Sequence, residues 1–153
     1  MSILFILRVV EYLLKYCVEE LIMLDTKHCF KTVKELRKAL LNREISAVEL
    51  VDQSYKRIEE VEDKVQSFIS LTKDLAYKTA TEVDARIKIK DELPPLAGIP
   101  IAIKDNMCTK GFHTTAGSKI LENFVPPYNS TVARKLEENF IPLIGKANLD
   151  EFA

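Results

Sequence analysis

Two short apolar runs near the carboxyl end of the sequence constrain its fold more than any other feature. "IPIAI" (residues 99–103) and "IPLIG" (residues 141–145) are short and rich in aliphatic residues, so each predicts a buried β-strand. The segment "STVARKLEENF" between them has apolar residues at helical spacing and polar residues suited to a cap at its start. Strand, helix and strand in this order predict a right-handed crossover and a parallel sheet.

The preceding part of the chain carries helical patterns. Thr32 with Glu35, and Ser46 with Glu49, have the spacing of a capping box, and each pair precedes apolar residues at helical intervals. The run "VQSFISL" predicts a short extended segment. A third helix is predicted to start at Thr72 and to end before the two prolines of "DELPPLAG".

Composition narrows the class of protein. The chain has 153 residues, of which 47% are hydrophobic and 29% charged, which is typical of one ordinary globular domain. A net charge of -1 provides no overall basic field for nucleic acid. The three cysteines are an odd, scattered set, which favours reduced thiols in the cytoplasm, with an organelle stroma or matrix as the alternative.

The first residues form a separate region in this interpretation. "ILFILRVVEYLLKYCVEELIML" is apolar, but charges interrupt it at helical intervals and no uncharged run approaches the length of a membrane span. We predict an amphipathic helical extension at residues 1–24 and the amino-terminal part of a single domain at residues 25–153. Binding to a membrane surface is the alternative for the extension. We hypothesise either that Met23 is an alternative start of the protein or that the leading helix is an unusual extension.

Lys104 is the candidate catalytic residue. It ends the first predicted strand in "GIPIAIKDN", and ligand sites of open α/β sheets lie at the carboxyl ends of strands. A lysine in a dry site can lose its proton, because burial disfavours the charged form. The alternative is a solvated lysine at the point where a strand reaches the surface. The residues alone leave both open.

Other chemistries find little support in the sequence. Glycine spacing excludes phosphate-binding loops, and the two histidines and three cysteines lack the paired spacing of a zinc site. We therefore predict no cofactor and no metal in this chain. The tract at residues 109–118 is either a loop lined by hydroxyl groups or, as we favour, an ordinary surface loop.

A set of motifs links the chain to a known family. "TVKELRKALLNREISAVEL", "KDN", "TT", "SKILENF", "STV" and "GKANLDEFA" occur in the order used by the amidase signature family. Within it they most resemble the A subunits of the amidotransferases that act on glutamyl-tRNA(Gln) and aspartyl-tRNA(Asn). The resemblance covers residues 31–153. It implies an α/β fold in which a helical layer precedes the first strands of a mixed, partly parallel sheet, incomplete in this sequence.

The resemblance also implies a catalytic arrangement. The family uses a lysine, a serine preceded by a cis peptide bond, and a nucleophilic serine. The lysine maps onto Lys104, whereas both serines belong to a glycine- and serine-rich stretch that follows "DEFA". Ser118 and Ser130 do not match those positions. We therefore expect an amidase or glutaminase subunit of a carbon–nitrogen ligase in protein biosynthesis, which is inactive as the isolated chain.

Partners follow from the same resemblance. Glutamine is the expected ammonia donor, and the B and C subunits of the amidotransferase are the expected protein partners. Through that complex the chain would serve tRNA indirectly, and the intact complex would use ATP and magnesium; no membrane is involved. Two alternatives remain open: a noncatalytic helical module completed by a partner chain, and a fragment of an amidase that acts on a small free amide.

Overall fold

The computed structural model describes residues 31–150 of the protein. The predicted extension at residues 1–24 and the alternative start at Met23 lie outside the described residues. The described elements follow in chain order: α1 (Val33–Leu41), α2 (Ala47–Val65), β1 (Phe68–Leu71), α3 (Lys73–Lys88), β2 (Ile101–Lys104), a 3₁₀ turn (Lys119–Leu121), α4 (Thr131–Glu138) and β3 (Leu143–Ala147).

The strands form a mixed sheet in the order β1-β3-β2. β3 pairs with β2 in parallel, as the strand–helix–strand pattern predicts, and with β1 in antiparallel. The prediction that "IPIAI" is a buried strand is correct only in part. Ile103 is buried, whereas Ile101 and Ala102 at the start of β2 are exposed, because the described residues leave this part of the edge strand uncovered.

Both predicted capping boxes are present. Thr32 caps α1 with Glu35 as the reciprocal partner, and Ser46 with Glu49 does the same for α2. Thr72 precedes α3 as predicted, but its hydroxyl does not cap the helix. It donates instead to the Leu143 carbonyl of β3 at 2.6 Å, so the start of α3 is tied to the sheet.

Helices α2 and α3 run antiparallel and form most of the helical layer. The Ala47 N–H at the start of α2 donates to Asp84 at 2.7 Å, near the end of α3. Near the opposite end of the pair, Glu59 and Lys73 form an ion pair at 3.1 Å. Tyr55 of α2 donates its hydroxyl to the Ile144 carbonyl at 3.0 Å, which joins this layer to β3.

Apolar side chains from the helices and from the segment before β2 fill the main core. Leu40, Val51 and Val83 are among its least exposed members. Gly98 has a φ of +80°, and a Cβ placed there would lie 2.9 Å from a methyl of Val83. Only glycine combines this backbone angle with so close an approach, so Gly98 lets the chain enter β2 directly against the helices.

Candidate active site

Lys104 occupies the last position of β2, beside Ala147 of β3. This is the carboxyl end of a parallel strand pair, where the sequence pattern predicts it. Its side chain is 29% exposed, so the amine is neither sealed in the core nor fully solvated. Nζ lies 3.0 Å from Oδ1 of Asp150, which belongs to the "GKANLDEFA" motif.

The pairing with Lys104 lowers the pKa of the Asp150 carboxyl group. A hydrogen bond from the Lys104 amine is the main cause that holds the pKa of Asp150 below its ordinary value. Charge attraction from the same amine works in the same direction. In this arrangement, Lys104 therefore has a carboxylate as its partner rather than a hydroxyl.

A second lysine, which the sequence analysis missed, lies close by in the core. Lys146 of β3 forms an ion pair with Asp105 at 3.1 Å, and both side chains are fully buried. The contact reaches Oδ1 of Asp105 and is an ion pair rather than an aligned hydrogen bond. A signal for it is present in the sequence, since "IPLIG" is followed by a lysine just as "IPIAI" is.

Threonines complete this buried polar cluster. Thr115 donates to Oδ2 of Asp105 through both its N–H, at 2.8 Å, and its hydroxyl, at 2.6 Å. Lys146 donates to the hydroxyl of Thr114 at 3.0 Å and approaches the His113 carbonyl at 3.4 Å. The interpretation of residues 109–118 as an ordinary surface loop is therefore wrong for Thr114 and Thr115, which are buried and contact a charged pair.

Ser118 and Ser130 have local structural roles. Ser118 accepts a hydrogen bond from the Ile120 N–H at 3.3 Å and begins the 3₁₀ turn. Ser130 accepts from the Ala133 N–H at 3.2 Å and caps α4, as predicted. Neither hydroxyl has a hydrogen bond to Lys104.

Two open cavities flank the sheet. One, of about 400 Å³, lies between α3 and α4 and includes Leu75, Phe112 and Leu143 in its lining. The other, of about 470 Å³, includes Ser70 and Asn148 in its lining, beside the loop at residues 113–119. Lys104 lines neither of them.

Residues 31–150 contain neither a metal-binding cluster nor a membrane-spanning helix. No group of three or more histidine, cysteine, aspartate or glutamate side chains lies close enough together to hold a metal ion in this range. Among the helices of the same range, none combines the length and the apolar character needed to cross a membrane.

The sequence of the chain is similar to those of known proteins. The family model described as "Amidase" matches residues 49–153. The A subunit of the glutamyl-tRNA(Gln) amidotransferase from Rippkaea orientalis is 53% identical over 122 residues, and that from Prochlorococcus marinus is 55% identical over 123 residues. Each match covers 80% of this chain and 25% of the relative, so the chain spans about a quarter of the length of these curated relatives.

Solved structures agree with the sequence comparisons. The native peptide amidase of Stenotrophomonas maltophilia superposes with a TM-score of 0.78 and 28% identity, covering 84% of this chain and 26% of that one. An amidase family protein of Bacillus anthracis superposes with a TM-score of 0.75 and 26% identity, covering 89% and 27%. The expected α/β fold is therefore confirmed, and the chain belongs to the amidase signature family.

Proposed function

We propose that the chain is part of a glutamine amidohydrolase subunit that generates ammonia for transamidation of mischarged Glu-tRNA(Gln) or Asp-tRNA(Asn). The observation that carries this proposal is the contrast in identity. The chain is 53–55% identical to the A subunits of two glutamyl-tRNA(Gln) amidotransferases, but only 26–28% identical to the two superposed amidase structures. The chain is therefore more similar in sequence to these amidotransferase subunits than to these two amidases.

In this proposal Lys104 is the general base. The lysine amine accepts the proton of the bridging serine, which takes the proton of the nucleophilic serine. The activated oxygen attacks the side-chain carbonyl of glutamine, and the amide nitrogen takes up the proton returned through the bridging serine and leaves as ammonia. Water then hydrolyses the acyl-enzyme to release glutamate. Both serines come from the glycine- and serine-rich stretch that follows "DEFA" in the family.

The contact with Asp150 defines a condition for this role. Lys104 can take a proton from a serine only when its amine is free to accept one, and in the described structure a carboxylate holds it at 3.0 Å. We expect the serine hydroxyl to replace Asp150 beside the amine in the active assembly. Two thirds of the Asp150 side chain is exposed, so its displacement into solvent costs little.

The later chemistry belongs to the partners in this proposal. The chain forms a complex with the B and C subunits, and ammonia passes from the glutaminase site to these partners. There the amino acid carried by the tRNA is amidated. That step uses ATP and magnesium, and the proposal assigns neither to residues of this chain. In this proposal the chain therefore serves tRNA only indirectly, through the complex.

A chimera tests the proposal directly. The matching 122-residue segment of the Rippkaea orientalis protein is replaced by the corresponding segment of this chain. The resulting chimera is assembled with the partner subunits of the Rippkaea orientalis protein. Release of ammonia from glutamine is expected. Replacement of Lys104 by alanine is expected to lower kcat by about 100- to 10,000-fold, because a general base is lost.

Lys78 provides the matched control for that experiment. It is an exposed lysine of α3, far from the end of β2 in the chain, and Lys78→Ala is expected to leave kcat unchanged. A Lys104→Ala chimera with more than a tenth of the parental activity would refute the assignment of the base. A chimera that hydrolyses small free amides but not glutamine would instead favour the amidase alternative.

A further inference from the structure

A buried ion pair lies one residue beyond Lys104, and the mechanism proposed above does not use it. The side chains of Asp105 and Lys146 are both 0% exposed and meet at 3.1 Å. Charged groups lose their hydration on burial, and a single ion pair often fails to recover the whole cost. Apolar side chains of similar volume often stabilise a fold equally well. The pair therefore points to a geometric role rather than to a gain in stability.

Asp105 is held at each of its polar groups. Its N–H donates to the last carbonyl of β3 at 2.9 Å, and its carbonyl accepts from the Ala116 N–H at 3.2 Å. Its two carboxylate oxygens face Lys146 on one side and Thr115 on the other. A residue with contacts on four sides has little freedom to move. Because a single peptide bond joins it to Lys104, it also determines where the backbone of that lysine lies.

Lys146 closes the cluster from the neighbouring strand. It lies beside Ile103 in the parallel register, and its amine reaches Thr114 at 3.0 Å. Three separate motifs of the sequence, "KDN", "TT" and "GKAN", therefore meet in one buried network. The network joins the end of β2, the loop at residues 113–116 and β3.

We propose that Asp105 and Lys146 are positioning residues that hold the end of β2 so that Lys104 presents its amine to the bridging hydroxyl. The inference rests on the proposed function for the reaction that Lys104 serves. Neither side chain is exposed, so neither is available to contact glutamine. Misplacement of a catalytic group by about 1 Å can cost about 100-fold in rate. Loss of the pair should therefore lower kcat and leave KM for glutamine nearly unchanged.

The double variant Asp105→Leu/Lys146→Met tests this role in the active chimera. It removes both charges together and replaces them with apolar groups of similar size, so the fold is expected to persist. The expected result is a kcat about 100-fold lower with KM unchanged. The control is Leu40→Ala, which weakens the helical core without touching the network. An equal loss of kcat in the control and in the double variant would overturn the inference, since instability alone would then explain it.

A second measurement uses the full chain and does not depend on glutaminase activity. The rate at which an amine-reactive acylating reagent modifies Lys104 is followed against pH by mass spectrometry, with Lys78 as the internal reference. The double variant is expected to change the pH profile of Lys104 and to leave that of Lys78 unchanged. An unchanged Lys104 profile would overturn the inference, whatever the activity. An inactive parental chimera would count against the proposed function alone, since the profile would still report on positioning.

Thr115→Val covers the case in which the double variant fails to fold. It keeps both charges and removes the 2.6 Å hydroxyl bond to Asp105, together with the 3.1 Å bond that the same hydroxyl accepts from the Gly117 N–H. The expected result is a change in the Lys104 profile that is smaller than the change in the double variant. A folded Thr115→Val chain with the native Lys104 profile would overturn the inference.

Discussion

The helical layer and the region around the strand ends are stabilised in different ways. In the helical layer the buried residues are mostly apolar, as in Leu40, Val51 and Val83. At the ends of β2 and β3 the buried residues include an ion pair, Asp105 with Lys146, and threonines that hydrogen-bond to it. The first region gains stability because apolar area is removed from water, and this hydrophobic effect is not directional. The second depends on the orientation of particular donors and acceptors.

This difference predicts different responses to substitution. An apolar core tolerates exchanges that conserve volume, because its neighbours can repack. A buried polar network tolerates the loss of one member poorly, since each remaining group then lacks a partner in a medium of low dielectric constant. The region that carries the candidate base is therefore the one in which small changes have large effects.

The largest effect is expected for Lys146→Met alone. It leaves the Asp105 carboxylate buried without its charge partner, and breaking such a pair typically costs about 3–5 kcal/mol. The free energy of unfolding, measured by urea denaturation, reports the loss. The double variant Asp105→Leu/Lys146→Met is expected to recover part of it, because no buried carboxylate then lacks its charge partner, although the Thr115 N–H and hydroxyl lose their acceptor. If the single variant were as stable as the native chain, the network would have no special sensitivity.

The helical layer was largely predictable from the sequence. Thr32 with Glu35 and Ser46 with Glu49 are local patterns, read within four residues of each other, and both capping boxes are present. The two strands of the crossover were predictable for a similar reason, since each is a short apolar run bounded by polar or turn residues. Local patterns of this kind depend only on backbone geometry and periodicity.

The polar cluster was not predictable by the same means. Lys146 ends an apolar run in the same way as Lys104, and composition does not show that one is fully buried and the other partly exposed. The antiparallel pairing of β1 with β3 joins segments far apart in the chain, and no local pattern specifies it. Thr72 resembled a helix cap, but its hydroxyl bonds to β3 instead. In each case a tertiary contact decided between two locally acceptable outcomes.

Leu40→Ala tests the apolar side of the comparison. Leu40 is 1% exposed in the main core, and such truncations cost about 2–5 kcal/mol through lost burial and the cavity left behind. Leu41→Ala is the matched control in the same helix, because Leu41 is 56% exposed and its truncation should cost much less. Urea denaturation of the two variants measures the difference. Equal losses would mean that α1 does not bury Leu40 as described.

Ser46→Ala is expected to have an intermediate effect confined to the helical layer. Loss of an N-cap side chain costs about 0.5–2 kcal/mol, and here the Ser46 hydroxyl accepts from the Glu49 N–H at 3.1 Å. Ser46→Thr keeps the hydroxyl and serves as the control. The acylation profile of Lys104 should not change in either variant, because the cap belongs to the other region. A changed profile would show that the two regions are coupled.

The smallest effect on stability is expected where Lys104 meets Asp150 at the surface. The folded-state pKa of Asp150 is lowered by this contact, so the contact stabilises the fold above the unfolded-state pKa of Asp150. That contribution is lost as the pH falls through the lower, folded-state value. Lys104→Ala should therefore raise the pKa of Asp150 toward the ordinary value of about 3.9, as measured by NMR titration of its carboxyl carbon. Lys78→Ala is the control and should leave it unchanged. An Asp150 pKa that is the same with and without Lys104 would mean that the amine is not held by this acid. The condition that we place on its role as a base would then disappear.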